Sequence, residues 1–487
     1  MKKMNLLAMS LVSAAALSFS SCSNNDDLTS GGGSNQAKVE SFYMTFAVQT
    51  PTSNGTRTQQ QTDKEPATAV ETKITSGTFY LWNEKTQKTV FTKHITASEL
   101  DNATPESPNK GTTTTKIEVP VQNVDEGVTY TVYFLANTTD ETPWTSVFAP
   151  AAEKFTTTNM FDAGYATDNA FVMFNQNDKN SPANKYTVEF KAANKEIDTP
   201  AKVTGTIMLD RVTARIDKPG TEATSITAKY PEGATPEKKA AIDAEIAKVK
   251  TVTLSNYAIT NLSNKTNIMQ KWDDAWAALQ IPAGTEHMQK SGDLGDQWTL
   301  ANYGWFANAA KNYVFENTKE TPTTMYFEYV LGLDETKFSD TPDCTDGTFY
   351  RYNGVIYRSI AAIYAAYADQ PILFGGKTAE ALKGELKIAD GKITATDAEL
   401  STFRKTNVIE VFVAGKTYYS QVITDKWLGT NTIQRNTVYK LNVKNIYNLG
   451  ADVPNGKPDE NKPMYYLDVE VSVNPWVLST QDVNLGE

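Results

Sequence analysis

Few side chains in this sequence are of the types that most often catalyse reactions or bind transition metals. The 487 residues include two histidines, His94 and His287, and two cysteines, Cys22 and Cys344. A zinc centre or a Ser–His hydrolase needs several such groups together, and the sequence has no cysteine cluster. A catalytic Cys344 would need a basic partner, for which the sequence offers only His94 and His287. We therefore expect no metal and no cofactor, and we interpret Cys344 as a packed residue.

Two further patterns could carry chemistry, but neither predicts an enzyme. Residues 374–378 (FGGKT) are similar to a phosphate-binding loop, yet the first glycine of that motif would fall at Pro371. Asp273 and Asp274 could serve a glycosidase, which uses two carboxylates about 5–9 Å apart. Nothing in the sequence singles out such a pair.

Cys22 is the cysteine with a recognisable chemical context. Lys2 and Lys3 precede an apolar run at 6–19, and two serines lead into Cys22. A basic start, a short apolar run and small residues indicate a secretory signal, and the run is shorter than the ~20 residues of a membrane span. Residues 1–22 are therefore predicted to be the signal peptide of a bacterial lipoprotein acylated at Cys22, for example with palmitate, although Phe19 stands where Leu is usual.

A polar tether follows Cys22. Residues 23–34 (SNNDDLTSGGGS) have the composition of a flexible linker, and acidic residues just after a lipidated cysteine resemble the surface-export signal of Bacteroidetes lipoproteins. The chain carries 46 basic and 57 acidic residues. Such a surface is poorly suited to phosphate backbones, so nucleic acid is not expected as a partner.

The first periodic segment lies at 41–49. Phe42, Met44, Phe46 and Val48 alternate with more polar residues, which predicts a half-buried strand. Pro51 ends it, and residues 52–57 (TSNGTR) predict an exposed loop. Residues 58–72 are polar and show no periodicity, so we expect them to be mobile.

Strands dominate the rest of the prediction. They are expected at 78–82, 116–121, 129–135, 203–216, 325–330, 408–413 and 438–443. Thr235 and Pro236 start a predicted helix over 237–250, and a second helix is predicted at 359–367. This pattern predicts an all-β fold with minor helices: two β-sandwich domains with insertions, divided near Pro200.

The carboxyl-terminal segment forms a second isolated strand. Residues 455–463 are a linker rich in proline, glycine and charge, and the strand at 464–476 places its apolar side chains on one face: Tyr465, Leu467, Val469, Val471 and Val473. This strand and the one at 41–49 could fill the same kind of slot in a sheet. Strand donation is an established mode of recognition, and donor and acceptor on different parts of a molecule produce a head-to-tail filament.

Four stretches carry a family resemblance. They are residues 42–45 (FYMT) with the loop to Arg57, 209–216 (LDRVTARI), 434–443 (QRNTVYKLNV), and 469–476 (VEVSVNPW) with 482–485 (DVNL). In these stretches the sequence resembles the Bacteroidales fimbrillin, or type V pilin, superfamily, and within it the major subunit of short fimbriae.

The resemblance implies a fold and a life cycle. Two transthyretin-like β-sandwich domains would occupy 58–200 and 201–463. A lipid-anchored precursor at the outer membrane would be cut between Arg57 and Thr58 by an Arg-specific surface protease, which removes the propeptide 23–57 and its strand. The C-terminal donor strand, 464–487, of another copy would fill the vacated groove. Lys64 and Lys73 are fallback sites for a different protease.

The implied product is a fimbrium on the cell surface that supports adhesion and biofilm formation. Its partners would be other copies of the chain and the anchor and tip subunits. Arg211 and Arg215 could bind a ligand, but we favour a structural role at the domain junction, and a structural role for Arg435 and Asn436 as well. The alternative function is a lipid-anchored lipoprotein, or an accessory anchor or tip subunit, that binds glycan or host protein through some of its 23 Tyr and 8 Trp residues.

Overall fold

The computed structural model describes most of the chain beyond residue 41. The described residues are 42–49, 68–101, 104–105, 114–138, 155–156, 165–179, 182–196, 198–288, 311–370, 372–454, 466–472, 477–478 and 481–483. In this part of the chain, no helix is long and apolar enough to cross a membrane.

Eight strands form a first sheet around an apolar core. They are β1 (Phe42–Gln49), β2 (Gly77–Asn83), β3 (Lys88–Ile95), β4 (Thr114–Val121), β5 (Thr129–Ala136), β6 (Met173–Asn175), β7 (Thr187–Glu189) and β8 (Ile207–Arg211). Their order is β3-β2-β5-β6-β8-β1-β4, and β7 pairs with β5. Strand β5 is apolar on both faces because it separates two cores: Val132 and Phe134 lie in one, and Tyr133 and Leu135 lie in the other.

Eleven further strands follow. They are β9 (Ala214–Asp217), β10 (Val249–Thr260), β11 (Lys311–Val314), β12 (Thr324–Leu333), β13 (Phe349–Tyr352), β14 (Val355–Tyr357), β15 (Glu410–Phe412), β16 (Lys416–Val422), β17 (Thr437–Tyr447), β18 (Tyr466–Ser472) and β19 (Gln481–Val483). The sheet β11-β9-β17-β18-β19 and the sheet β10-β12-β16 share one apolar core, to which Ile216, Phe327 and Leu441 contribute. These two sheets therefore form a sandwich.

Short strands of two residues extend these sheets or form small pairs of their own. They are Thr104–Pro105, Phe155–Thr156, Ala166–Thr167, Ala170–Phe171, Ala201–Lys202, Gly220–Thr221, Ile226–Thr227, Leu262–Ser263, Lys265–Thr266, Lys271–Trp272, Leu279–Gln280, His287–Met288, Ile388–Ala389, Lys392–Ile393 and Val477–Leu478.

The helices are short and capped. They are α1 (Ala69–Thr72), α2 (Ala97–Asp101), α3 (Pro236–Ile246), α4 (Ile360–Ala366), α5 (Ala379–Leu386) and α6 (Asp397–Asn407), with 3₁₀ turns at Ala183–Lys185, Ala192–Lys195, Glu335–Lys337, Phe374–Gly376 and Val413–Gly415. The Thr235 hydroxyl caps α3 by accepting from the Lys238 N–H, and the Ser359 hydroxyl caps α4 by accepting from the Ala362 N–H.

A helical insertion separates two neighbouring strands of the sandwich. Strands β12 and β16 pair antiparallel, yet the chain between them forms the small sheet β14-β13-β15 and the helices α4, α5 and α6. The insertion has its own apolar core, which includes Tyr350, Ile363, Leu386 and Phe403. We call this part, residues 335–415, the helical insertion.

The all-β prediction with minor helices is confirmed, and three details differ from the predicted elements. Helix α3 ends at Ile246 rather than at 250, because the β-branched residues from Val249 onward start β10. The predicted strand 203–216 is divided, because the chain leaves the first sheet after β8 and enters the sandwich at β9. Val408 closes α6 in a left-handed conformation and does not start a strand. The boundary near Pro200 stays a prediction.

Candidate functional site

Strand β1 occupies an internal position in the first sheet. It pairs antiparallel with β4 along its full length, from Phe42 opposite Val121 to Gln49 opposite Thr114. On its other side it runs parallel to Ala201–Lys202 and to β8. Both edges of β1 are thus hydrogen-bonded, and without β1 the sheet would have a slot between β4 and β8.

The side chains of β1 contribute to the first core. Phe42, Met44 and Val48 are buried in it, and the Phe42 ring packs 5.5 Å from that of Phe190. The side chain of Phe46 lies outside the described residues. Burial of these three alternate side chains is what the alternation predicted for them.

Strand β18 contains three of the five predicted donor residues, and it pairs with a strand of its own chain. It pairs antiparallel with β17, with Leu467 opposite Ile446, Val469 opposite Val443 and Val471 opposite Leu441. Tyr465 and Val473 lie outside the described residues. The position of β1 between β4 and β8 and the C-terminal strand β18 are the two candidate sites for strand exchange.

A buried carboxylate lies where the first sheet meets the sandwich. Glu71, in α1, is 0% exposed. Its Oε1 accepts from Arg215 Nη1 at 2.8 Å, from the Tyr313 hydroxyl at 2.8 Å and from Lys311 Nζ at 3.1 Å. Its Oε2 accepts from the Thr68 N–H at 2.9 Å. The start of the described chain after the predicted processing loop is therefore fixed to both β9 and β11.

The surroundings of Glu71 keep it ionised. Burial alone would raise the pKa of this carboxyl, but the Thr68 N–H, the Arg215 guanidinium, the Tyr313 hydroxyl and the Lys311 ammonium together lower the pKa well below its usual range. Glu71 is a permanent buried anion at neutral pH.

Arg211 links Glu71 to the sandwich by a second route. Arg211 Nε donates to the Glu71 carbonyl at 2.8 Å and Nη1 donates to Asn436 Oδ1 at 2.7 Å. Asn436, in the left-handed conformation (φ 55°), donates from Nδ2 to Asp210 at 3.0 Å and from its N–H to the Thr213 carbonyl at 2.8 Å. These contacts support the structural role favoured for Arg211 and Asn436. We call Glu71, Arg211, Arg215, Lys311, Tyr313 and Asn436 the junction cluster.

Arg435 forms a separate buried pair. Its Nη2 donates to Glu316 Oε2 at 2.7 Å, and the guanidinium also donates to the Thr266 hydroxyl and to the carbonyls of Asn267 and Ile268. Arg435 and Glu316 are each 1% exposed. The pair fixes the chain just before β17 and leaves the guanidinium no access to an external ligand.

The expectation that residues 58–72 are mobile is wrong for Thr68–Thr72. Thr68 is the N-cap residue of α1, and Glu71 Oε2 accepts hydrogen bonds from both the N–H and the hydroxyl of Thr68, in the arrangement of a capping box. The Thr-x-x-Glu spacing at 68–71 was the sequence signal for this helix. The burial of Glu71 depends on Arg215, Lys311 and Tyr313. These residues lie far from Glu71 along the chain, so the sequence did not predict that they contact it.

Several predicted positions lie outside the described residues: Cys22, Arg57, Thr58 and Lys64. Lys73 is described and its side chain is exposed. Its carbonyl, however, accepts from Asn137 Nδ2 at 2.8 Å, and Asn137 Oδ1 accepts from the Thr75 N–H at 2.7 Å. The peptide bond after Lys73 is therefore held against β5.

This clamp predicts resistance to proteolysis after Lys73. A protease binds its substrate as an added strand. Asn137 already forms hydrogen bonds with the Lys73 carbonyl and the Thr75 N–H, which the protease would need to bind. We expect Asn137→Ala, which removes hydrogen bonds worth ~1–3 kcal/mol, to speed cleavage after Lys73 by a Lys-specific protease about tenfold, as timed by mass spectrometry. Asn194→Ala is the control, because Asn194 Nδ2 makes a similar bond to Thr199 on the exposed surface. Equal rates for wild type and Asn137→Ala would contradict the clamp.

The surroundings of Cys344 and Asp273, which were considered for catalysis, favour a structural role for both residues. Burial, with Asp346 and Asp343 nearby, raises the pKa of the Cys344 thiol to about 11, which disfavours the nucleophilic thiolate. Asp273 accepts from the N–H groups of Ala277 and Ala278 and so shapes a turn. Among the described residues, no three His, Cys, Asp or Glu side chains lie close enough to hold a metal ion.

Two family models match the chain in the regions that hold these sites. Residues 42–211 match the major fimbrial subunit protein (FimA) family, and residues 410–482 match the C-terminal region of fimbrillin, the major fimbrial subunit protein type IV. The first match spans the sheet that contains β1, and the second spans β17 and β18. The two matches support a fimbrial subunit, and the resemblance to the fimbrillin superfamily drawn from the sequence is confirmed.

Solved structures of low identity span most of the chain. A Parabacteroides distasonis protein named as a cell adhesion protein is 14% identical, covers 90% of this chain and 97% of its own, and has a TM-score of 0.44. A fimbrial assembly protein of that organism is 10% identical, covers 91% and 99%, and has a TM-score of 0.37. The Porphyromonas gingivalis tip fimbrial protein Mfa3 is 12% identical, covers 90% and 100%, and has a TM-score of 0.32. No curated protein sequence matches the chain.

Proposed function

We propose that the chain is the shaft subunit of a surface fimbria and polymerises by strand exchange. The precursor is acylated at Cys22 and carried to the outer membrane, and an Arg-specific surface protease cuts between Arg57 and Thr58. The C-terminal strand of another copy then fills the position of β1. Anchor and tip subunits occupy the two ends of the polymer, which supports adhesion and biofilm formation.

The single observation that carries the proposal is the internal position of β1. Strand β1 lies just before the predicted cleavage site, and its loss would leave β4 and β8 unpaired on facing edges. Unpaired strand edges bind other strands readily. The apolar side chains Phe42, Met44 and Val48 would leave a matching apolar groove.

The energies are sufficient for a stable polymer. Burying three such side chains contributes ~1.5–3 kcal/mol each, roughly 5–9 kcal/mol before the cost of ordering the incoming strand. Restored backbone pairing adds to this, since buried N–H and C=O groups need partners.

The junction cluster supports the same order of events. Glu71 holds α1 on the carboxyl side of Arg57, through Arg215, Lys311 and Tyr313. Cleavage at Arg57 would therefore cut the covalent link to the propeptide and leave the new amino-terminal segment attached to β9 and β11.

The proposal is tested by the amino-terminal sequence of the protein in fimbriae sheared from cells. We expect the sequence to start at Thr58, in SDS-resistant ladders, because strand-exchanged subunits dissociate slowly. Protein that starts at acylated Cys22 and runs as a monomer would instead support the lipid-anchored binding lipoprotein.

A matched pair of variants locates the cleavage. Arg57→Ala should accumulate lipid-bearing precursor at the outer membrane, whereas Lys64→Ala should be processed normally. Normal polymer from Arg57→Ala would place the cleavage elsewhere.

A further inference from the structure

The FGGKT turn has a role that its similarity to a phosphate loop does not explain. Gly375 (φ 66°) and Gly376 (φ 83°) both adopt the left-handed conformation that favours glycine. The chain therefore turns sharply before α5, and the Tyr364 hydroxyl donates to the Lys377 carbonyl. The backbone of Lys377 is thus fixed against α4.

Lys377 meets a carboxylate and a carboxamide at this position. Its Nζ lies 2.7 Å from Glu385 Oε1 and 3.3 Å from Asn407 Oδ1. Asn407 Nδ2 donates to Glu385 Oε2 at 3.3 Å and to the Phe403 carbonyl at 3.0 Å. One carboxylate therefore contacts both the lysine nitrogen and the amide nitrogen of the asparagine.

We propose that Lys377 and Asn407 become joined by an intramolecular isopeptide bond, with Glu385 as the catalytic proton carrier. The Lys377 ammonium gives a proton to Glu385, and the free amine attacks Asn407 Cγ, the carbon that bears Oδ1. Glu385 delivers the proton to Nδ2, the C–N bond of the carboxamide breaks, and the second proton released by the lysine nitrogen follows. One ammonium ion leaves, one amide replaces another, and no oxidant or reductant is needed.

The geometry suits this exchange. The Lys377 nitrogen contacts the Asn407 carboxamide through Oδ1 at 3.3 Å, and Oδ1 is bonded to the Cγ carbon that the amine would attack; groups held together in this way react faster than free ones. General acid–base catalysis requires a group within hydrogen-bond reach of both nitrogens, and Glu385 contacts both. Asn407 is 3% exposed, which limits competing hydrolysis of its carboxamide. The side chains of Lys377 and Glu385 are 32% and 38% exposed, so the ammonium ion can escape to solvent.

The position of the bond also suits an exported protein. Cys344 is buried, and no other cysteine lies in the described residues. A disulfide therefore cannot cross-link this part of the chain. An isopeptide bond between Lys377 and Asn407 would connect the start of α5 to the end of α6 and close the two-helix part of the helical insertion. A covalent loop of this kind restricts the unfolded chain as a disulfide does.

Peptide mapping by mass spectrometry of protein purified from the cell surface tests the bond. We expect the peptides that contain Lys377 and Asn407 to appear as one branched species, lighter than their sum by one ammonia. Lys377→Arg, Asn407→Ala and Glu385→Gln should each give the two unlinked peptides. Lys387→Arg is the matched control and should keep the branched species, because Lys387 lies in the same insertion but pairs with Glu399, at 2.5 Å.

Two results would overturn the proposal. One is wild-type protein whose Lys377 and Asn407 peptides are separate and whose Lys377 amine reacts with an acylating reagent. The other is loss of ammonia confined to the Asn407 peptide, which would be a succinimide formed with the adjacent backbone. Both readouts come from the wild-type chain, so they do not depend on the folding of any variant.

Discussion

A chain that ends at Pro463 is expected to fold and to be exported, but not to polymerise. The deletion removes β18, which pairs with one edge of β17, and β19, which pairs with β18, while β9 stays paired with the other edge of β17. The core residues of β17, such as Tyr439 and Leu441, also remain packed in the sandwich. Electron microscopy and SDS-resistant ladders from cells that express the truncated chain measure the result.

Two controls separate loss of the donor from damage to the fold. Deletion of residues 484–487 keeps β18 and β19 and should leave polymer unchanged. Val469→Asp places a charge on the predicted apolar face of the donor and should abolish polymer, whereas Glu470→Gln, on the opposite face, should not. Normal fimbriae from the chain that ends at Pro463 would exclude the C-terminal strand as the donor.

Glu71→Gln is expected to cost about 3–5 kcal/mol of stability, because it removes the buried anion that pairs with the buried Arg215 guanidinium and with Lys311. Arg215 keeps Asp217 as a partner at 2.7 Å, but the bonds of Lys311 and Tyr313 to the carboxylate are weakened. Urea denaturation of the purified protein at neutral pH measures the difference. Glu222→Gln is the control, since Glu222 forms a surface pair with Lys444 and its loss should change little.

The stability difference should depend on pH. The folded protein lowers the pKa of Glu71 below the value of about 4.3 typical of an unfolded chain. The stabilisation is therefore fully present above that value and is lost as the pH falls below it. The curves for wild type and Glu71→Gln should converge in acid, and a constant difference down to pH ~2 would contradict the assignment of the anion to Glu71.

Local patterns in the sequence predicted individual strands and helices, but not the contacts between strands and helices that lie far apart in the chain. Alternation located β1 and β18, and the Thr235-Pro236 and Ser359 signals located α3 and α4. These features depend on neighbours within a few residues, which the sequence displays directly.

The junction cluster could be predicted only in part, because its contacts join residues far apart in the chain. The sequence placed Arg211 and Arg215 at a domain junction, but it did not reveal Glu71, their shared partner. The division of 203–216 into β8 and β9 was missed for the same reason. The apolar pattern continues through the break, and only the pairing of Asn436 with Thr213 shows where the chain changes sheets.

The mixed pairing of β1 gives the slot a polarity. A strand that replaces β1 must run antiparallel to β4 and parallel to β8, so it can enter in one direction only. Since side chains alternate with a period of two, a shift by a single residue would also turn its apolar face outward. Under the proposed strand exchange, every subunit would therefore join in the same orientation and with the same axial rise. The two ends of the fibre would then be chemically different.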